Sequence, residues 1–324
     1  MRCLQELRGR SGLYTVEPAG HWILDCRHWT ADSRDSPATP RERDFSMSTN
    51  PTSSTPQAGP QADPAAASAI RADVDERLYV ASVEKAMRVL EAFDKSASEL
   101  SIADIAQRTG MGRSAAQRFV YTLCQLGYLR RHPAARLYAL STKLVGLVGG
   151  MLSANARLQA AYPVLSQLAQ ETHETVSWVE LDGDDIVVLG NVPSEHLASV
   201  NLPVGSRFAA LPASSGQVLL SQESEDVLRA MLGRLAPAVR ARFGEREDDD
   251  IIALIEKARE QGYSMTEKNL GQGSVSVSVP VLDHASRVVA AINLSTLSLR
   301  YDVEAARRDL LPRVLHTAKV LSAG

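Results

Sequence analysis

Three groups of residues have types and spacings that could do chemistry. In Ser274–Val279 serine and valine alternate strictly, so in an extended chain Ser274, Ser276 and Ser278 share one face and the valines the other. Asn293 and Ser295, two residues apart in an apolar run, likewise share a face. Hydroxyls and an amide on neighbouring strands can hydrogen-bond a small ligand. A water-facing sheet shows the same pattern, and spacing does not separate the two readings. The second group is Pro212-Ala213-Ser214-Ser215-Gly216 at the entry to a predicted helix, whose free N–H groups favour a carboxylate. The third is Ser114, Gln117, Arg118 and Tyr121, which repeat at three-four spacing along one helical face. Glutamine and arginine in that arrangement suit hydrogen bonding to adenine and guanine edges.

Catalysis finds no such support. The Pro212–Gly216 segment approaches the G-x-S-x-G nucleophile elbow, but Pro212 stands at its first glycine and cannot take the backbone geometry required. The seven histidines are scattered, with none at metal-binding spacing, and Gly271-Gln272-Gly273 is too short for a nucleotide motif. Asp248-Asp249-Asp250 reads as acids placed at a helix start rather than as a metal site. Neither an enzyme activity nor a cofactor or metal is expected.

The elements that must position these groups follow from periodicity. Ser101–Thr109 carries Ile102, Ile105, Ala106 and Thr109 at helical spacing, and Ser101 with Asp104 forms a capping-box start. Gly110 and Gly112 break the helix and permit a sharp turn. The next helix buries Ala116, Phe119, Val120 and Leu123 and turns its polar face outward, ending at Gly127. Leu129–Leu140 then forms a short basic hairpin, a wing, with Arg130, Arg131 and Arg136. Together these parts read as a winged helix-turn-helix, preceded by a supporting helix over Ser82–Phe93 whose buried stripe is Val83, Ala86, Met87, Leu90 and Phe93. Arg113, Ser114, Gln117, Arg118 and Tyr121 are the candidates for a DNA major groove, and Arg130, Arg131 and Arg136 for phosphates or the minor groove.

Charge agrees with this division. The chain of 324 residues carries −3 overall, yet Tyr79–Leu140 holds nine Lys and Arg against five acids. That segment is therefore +4 and the remainder −7, which suits one part that meets a polyanion and one that does not. No apolar run approaches the roughly 20 residues needed to cross a bilayer, and no secretory signal opens the chain, so a cytoplasmic protein is expected. Three cysteines without a CxxC pair argue against a disulfide framework or zinc ribbon.

Residues 1–77 read as a disordered extension, in which Thr30–Ala67 is rich in Ser, Thr, Pro, Ala and Gln, with Met47 as an alternative start. After the wing, Ser141–Gln170 reads helical, with Leu144, Leu147, Val148, Met151 and Leu152 as its apolar stripe and Pro163 opening a helix at Val164–Glu171. That stripe serves either a dimer contact or burial within one subunit. Beyond Thr175 come a hairpin around Asp182-Gly183, helices at Gly216–Gln222, Ser224–Leu232 and Ile251–Gln261, strands at Tyr263–Met265, Ser274–Leu282 and Val288–Leu294, and a closing helix at Asp302–Leu321. The class is α+β, divided into a winged helix-turn-helix domain at 78–141, a linker helix at 142–161 and a sandwich of the sensory type at 162–324.

Five stretches in order, SVEKAMRVLEAF, LSIADIAQRTGMGRSAAQRFVYTLCQLGYL, VGSRFAALPASSGQVLL, QGYSMTEKNLGQGSVSVSVPVLD and VVAAINLS, resemble the IclR family of bacterial transcriptional regulators from about Val80 to the end of the chain. The resemblance implies a GAF-like effector domain binding a small organic acid, of which aromatic acids are a common class. It also implies dimerisation through the linker helix, and dimers or tetramers on palindromic operators. Carried over by position, the effector pocket falls on Ser215 and Gly216, on Thr266 or Glu267, on Ser276, and on Asn293 and Ser295. Thr266 stands where the family often has an acid, and Asn293 where some members have a hydroxyl. The competing reading is a ligand-sensing or protein-docking module without sequence-specific DNA binding.

Overall fold

The computed structural model describes residues 75–94, 96–267 and 273–323. The expectations for the N-terminal extension, for Met47 and for Gly271-Gln272 lie outside them.

Helix α1 (Ala81–Glu91) precedes α2 (Ile102–Thr109) and α3 (Arg113–Gln125), and strands β1 (Leu129–Arg131) and β2 (Tyr138–Leu140) pair antiparallel as the wing. The capping box at Ser101 is formed in both directions: Asp104 N–H donates to Ser101 Oγ at 3.2 Å and Ser101 N–H to Asp104 Oδ2 at 2.9 Å. Gly110 ends α2 at φ 66°, a left-handed position that suits glycine, whereas Gly112 is an ordinary extended N-cap at φ −64°. The buried face of α1 is displaced from the expected stripe. Val89 and Ala92 join Phe93 in the small core, while Val83 and Met87 are 58% and 49% exposed. Partners decide this: α1 packs on α2 and α3, whose contact selects the Val89 side.

The long helix is broken elsewhere than expected. α4 (Lys143–Ala154) and α5 (Ala156–Thr172) meet at Asn155, whose Oδ1 accepts from Leu158 N–H at 3.0 Å and so caps the second helix. Pro163 does not open a helix but lies inside α5. Its lost N–H bond is offset by packing, since Ala161, Leu165 and Leu168 on the same helix are buried. No residue of α4 is buried, and Val145, Leu147, Val148 and Met151 are exposed. Of the expected stripe, Leu152 packs against the core beside the sheet and Leu144 is half-buried, so only Leu147, Val148 and Met151 lack a cover among the described residues.

The remainder is built on one six-stranded antiparallel sheet in the order β5-β4-β3-β8-β7-β6. Its strands are β3 (Thr175–Asp182), β4 (Asp185–Val192), β5 (Arg207–Ala209), β6 (Ser264–Glu267), β7 (Ser274–Leu282) and β8 (Val288–Leu297). The β3–β4 turn is the two-residue loop Gly183-Asp184, one residue later than expected, with Gly183 at φ 63°. Helices cover both faces. On one, α5 joins α10 (Val303–Ala305), the π turn Ala306–Leu310 and α11 (Leu311–Ser322) over the valines of β7 and over Trp178. On the other lie α6 (Ser214–Leu219), α7 (Glu225–Gly233), the short α8 (Pro237–Arg240) and α9 (Asp248–Gln261), over Val179, Ile186 and Ala291. The acids of 248–250 sit in the first turn of α9, where Asp250 accepts from Glu247 N–H.

A bulge interrupts the pairing of β4 with β3. Trp178 faces Gly190 and Val179 faces Val188, so Leu189 is an extra residue without a partner on β3. Beyond it the side-chain alternation of β4 reverses, which turns Val188 and Ile186 toward the α6 side. The β7–β8 turn is held by Asp283, whose carboxylate accepts from the N–H groups of Ala285 and Arg287 and from the Arg287 guanidinium. The hydrogen bonds from Arg287 and Ala285 lower its pKa from 3.8 to about 2. A depressed folded-state pKa contributes stability above the ordinary value and loses it as pH falls through the depressed one. The stability gap between the wild type and Asp283→Ala should therefore be full at neutral pH and close between about pH 4 and pH 2, as read from urea midpoints in acid buffers.

Candidate nucleic-acid interface and ligand pocket

The helix-turn-helix divides its arginines between two tasks. Arg88 donates to Thr109 O at 2.5 Å, and Arg108 donates to Ala92 O at 3.1 Å and to Asp94 at 2.9 Å. These two fasten α1 to α2. Ser96 and Arg108 together draw the Asp94 pKa down to about 2. Arg113, Arg118, Arg130, Arg131 and Arg136 are all exposed, and none forms an ion pair with a described residue. On α3, Ser114, Gln117, Arg118 and Tyr121 line one shallow hollow with Thr122, and Tyr121 is 65% exposed. The opposite side of that helix, Ala116, Val120 and Leu123, is buried. The wing tip turns through His132, whose Nδ1 accepts from Ala134 and Ala135 N–H. The expected face is thus polar, solvated and basic, with its backing packed inside.

In the second region the serine face of β7 is not solvated, which removes that alternative. Ser274, Ser276, Ser278, Asn293 and Ser295 are each at most 5% exposed, beneath α6. Register aligns two polar rows across the strands: Thr266, Ser276, Ser295 and Thr175 in one, Ser264, Ser278, Asn293, Ser177 and Asn191 in the other. Ser278 donates to Asn293 Oδ1 at 3.0 Å, Asn293 Nδ2 to Ser295 Oγ at 2.9 Å, and Ser276 and Ser295 hydroxyls meet at 3.2 Å. Helix α6 is pinned to these rows by Ser214 against Ser278 at 2.9 Å and by Ser264 donating to Gln217 Oε1 at 2.5 Å. Between helix and sheet lies a pocket with about 410 Å³ of empty space, its mouth included. Val179, Ile186, Val188, Leu202 and Phe208 form an apolar wall; Ser214, Ser215, Thr266, Ser276 and Asn293 supply polar groups, and Arg242 a charge. Thr266 Oγ1 is buried with no hydrogen-bond partner.

Two family models match the chain: the IclR helix-turn-helix domain over residues 82–133 and the bacterial transcriptional regulator IclR C-terminal domain over residues 151–323. The chain belongs to the IclR family of bacterial transcriptional regulators. Among its relatives, the Pca regulon regulatory protein of Pseudomonas putida is 31% identical over 84% of this chain and 94% of its own length. A solved structure of a transcriptional regulator from Rhodococcus sp. RHA1 superposes with TM-score 0.65 at 31% identity, over 76% of this chain and 98% of that one. An IclR homologue from Microbacterium hydrocarbonoxydans, solved in complex with 4-hydroxybenzoate, shares the fold at TM-score 0.62 and 21% identity, over 75% and 98% of the two chains.

Of the pocket residues expected from IclR resemblance, Ser215, Thr266, Ser276 and Asn293 converge on one cavity. Ser295 lies behind Ser276, Glu267 is exposed at the end of β6, and Gly216 does not line the cavity. Gly216 is needed for another reason: a Cβ there would stand 1.9 Å from Ala210 O. Arg242 and the β4 wall carry no local signal in the residue order. Arg242 lies in an irregular basic run without periodicity, and the wall depends on a bulge that an alternating pattern does not reveal. Among the described residues no cluster of His, Cys, Asp or Glu could hold a metal ion, and no helix is long and apolar enough to cross a membrane.

Proposed function

We propose that this regulator binds palindromic operator DNA as a homodimer and that a small organic acid in the α6 pocket modulates the binding, with no catalytic step. The observation that carries the reading is the segregation of α3, one face buried and the other bearing Ser114, Gln117, Arg118 and Tyr121 in solvent beside exposed arginines of the wing. Side chains of that kind read base edges, and the wing arginines neutralise phosphates. The pocket offers the concave, mostly apolar lining with few polar groups that small ligands use. The homologue solved with 4-hydroxybenzoate supports an aromatic acid as the effector class. A ligand shifts DNA affinity only through unequal affinity for two arrangements of the dimer.

A gel shift on the DNA upstream of the protein's own gene, repeated at rising salt, tests the reading; absence of salt-sensitive binding to any promoter fragment would leave a sensor or docking module instead. Within it, Gln117→Ala should relax base preference at one operator position by about 1–3 kcal/mol, whereas Arg131→Ala should weaken all sites alike and reduce the salt slope by about 1. Binding-site selection with each variant separates these outcomes. The unburied apolar face of α4 supplies the dimer contact in this reading. Val148→Glu combined with Met151→Glu should therefore give a monomer in sedimentation without lowering the melting temperature, and an unchanged dimer would remove α4 from the interface.

A further inference from the structure

We infer that Arg242 is the anion anchor of the α6 pocket, and that the pocket takes a monocarboxylate with a ring-sized apolar body, its carboxylate at the mouth and a polar substituent at the floor. The inference rests on the pocket being the effector site and adds the orientation and the discriminating residue.

The lining divides by depth as well as by chemistry. Ser276 and Asn293 are 3% and 4% exposed, so they form the floor. Arg242 belongs to the exposed residues and so stands at the rim. No carboxylate is among the described lining residues. An anion on the floor would meet hydroxyls and an amide already bonded to one another, without a countercharge, and a buried unpaired charge is costly. Helix α6 cannot supply the missing charge, because six residues align few peptide dipoles. A guanidinium can, since its fork matches both carboxylate oxygens.

Arg242 is also held in place before a ligand arrives. It sits in the 3₁₀ turn Ala241–Phe243, anchored by Phe243, which is buried in the core against α7 and α9. Arg240 donates to Arg246 O at 2.6 Å and Arg246 to Phe243 O at 3.3 Å, which closes the segment on itself. Partial burial lowers the Arg242 pKa, as befits a cation stripped of some of its water. Beside the floor residue Ser276, Thr266 Oγ1 has no partner, and a hydroxyl on the ligand would satisfy it. The apolar wall of the same pocket, which includes Val188, Leu202 and Phe208, suits a flat apolar body.

Calorimetric titration of the full chain with benzoate, 4-hydroxybenzoate and 4-hydroxybenzamide tests this, the amide keeping the shape without the charge. The wild type should bind 4-hydroxybenzoate at least about tenfold more tightly than the amide, and Arg242→Met should lower acid affinity by roughly 10–100-fold and abolish the acid–amide difference. Thr266→Val should remove only the preference for 4-hydroxybenzoate over benzoate. Unchanged acid affinity in Arg242→Met, in a protein of wild-type melting temperature, overturns the inference. Ala213→Leu, which fills the pocket from a half-buried position, separates the two failures. If it abolishes binding while Arg242→Met does not, only the anchor is wrong; if both bind as the wild type does, the effector-site reading falls as well. Failure of the wild type to bind either acid overturns the ligand class.

Discussion

Gly216→Ala should destabilise the sheet domain by about 3 kcal/mol or more, because the added methyl meets backbone and not a yielding side chain. Its Cβ would lie 1.9 Å from Ala210 O and 2.4 Å from Ala210 C, distances that no rotamer change relieves. Either α6 or the Ala210 segment must move. Helix α6 is not free to move, since Ser214 is hydrogen-bonded to Ser278 and Gln217 to Ser264 and Leu211 O. Any relaxation therefore breaks buried hydrogen bonds and displaces Ser214 and Ser215 in the pocket wall. Denaturant midpoints measure the stability loss, and ligand titration of the surviving folded fraction measures the second effect. A change below about 0.5 kcal/mol, the range of an ordinary surface substitution, would show that the close approach is not structural.

The second large effect is expected at Arg300. Glu174 is 1% exposed and accepts from Arg300 Nε at 2.6 Å, from Arg300 Nη2 at 2.7 Å and from Thr296 Oγ1 at 2.8 Å. Arg300 also donates to Ala198 O at 2.8 Å, which ties down the loop between β4 and β5. Truncating Arg300 to alanine leaves a buried carboxylate with one neutral donor, and breaking a buried pair in this way costs about 3–5 kcal/mol. Removing both charges, as in Glu174→Gln with Arg300→Met, should recover more than half of that loss. Equal losses in the single and double variants would mean that the pair acts only through packing. Because Leu202 of the same loop lines the pocket, Arg300→Ala should also weaken ligand binding in protein that remains folded.

Some of this architecture was legible in the residue order, and the boundary has physical causes. The helix-turn-helix carries its own local instructions: the Ser101–Asp104 box and the left-handed Gly110 specify α2 and its end without reference to the rest of the chain. Strand alternation in β7 placed the serines together correctly, but could not say whether water or α6 covered them. That was decided by tertiary packing. The stripe of α1 failed for a related reason, since a helix with apolar residues on several sides buries whichever side its neighbours select. Proline at a helix start is a sound local rule, yet Pro163 lies inside α5 because Asn155 provides a better cap eight residues earlier. Arg242 gave no periodic signal, and only the cavity brings it beside residues far from it in the chain.

The extra residue in β4 makes the identity of the ligand chamber a matter of parity. With Leu189 taken up in the bulge, Ile186 and Val188 belong to the chamber; deleting that single codon would remove the bulge and leave them there, still opposite Leu181 and Val179, whereas pairing Leu189 regularly with Val179 would hand them to the Trp178 side. In that regular pairing the chamber would inherit Val187 and Leu189, while the hydrogen-bonding groups on β7 and β8 stayed where they are. The bulge, and not the number of residues in the strand, thus sets which apolar side chains stand opposite the polar rows.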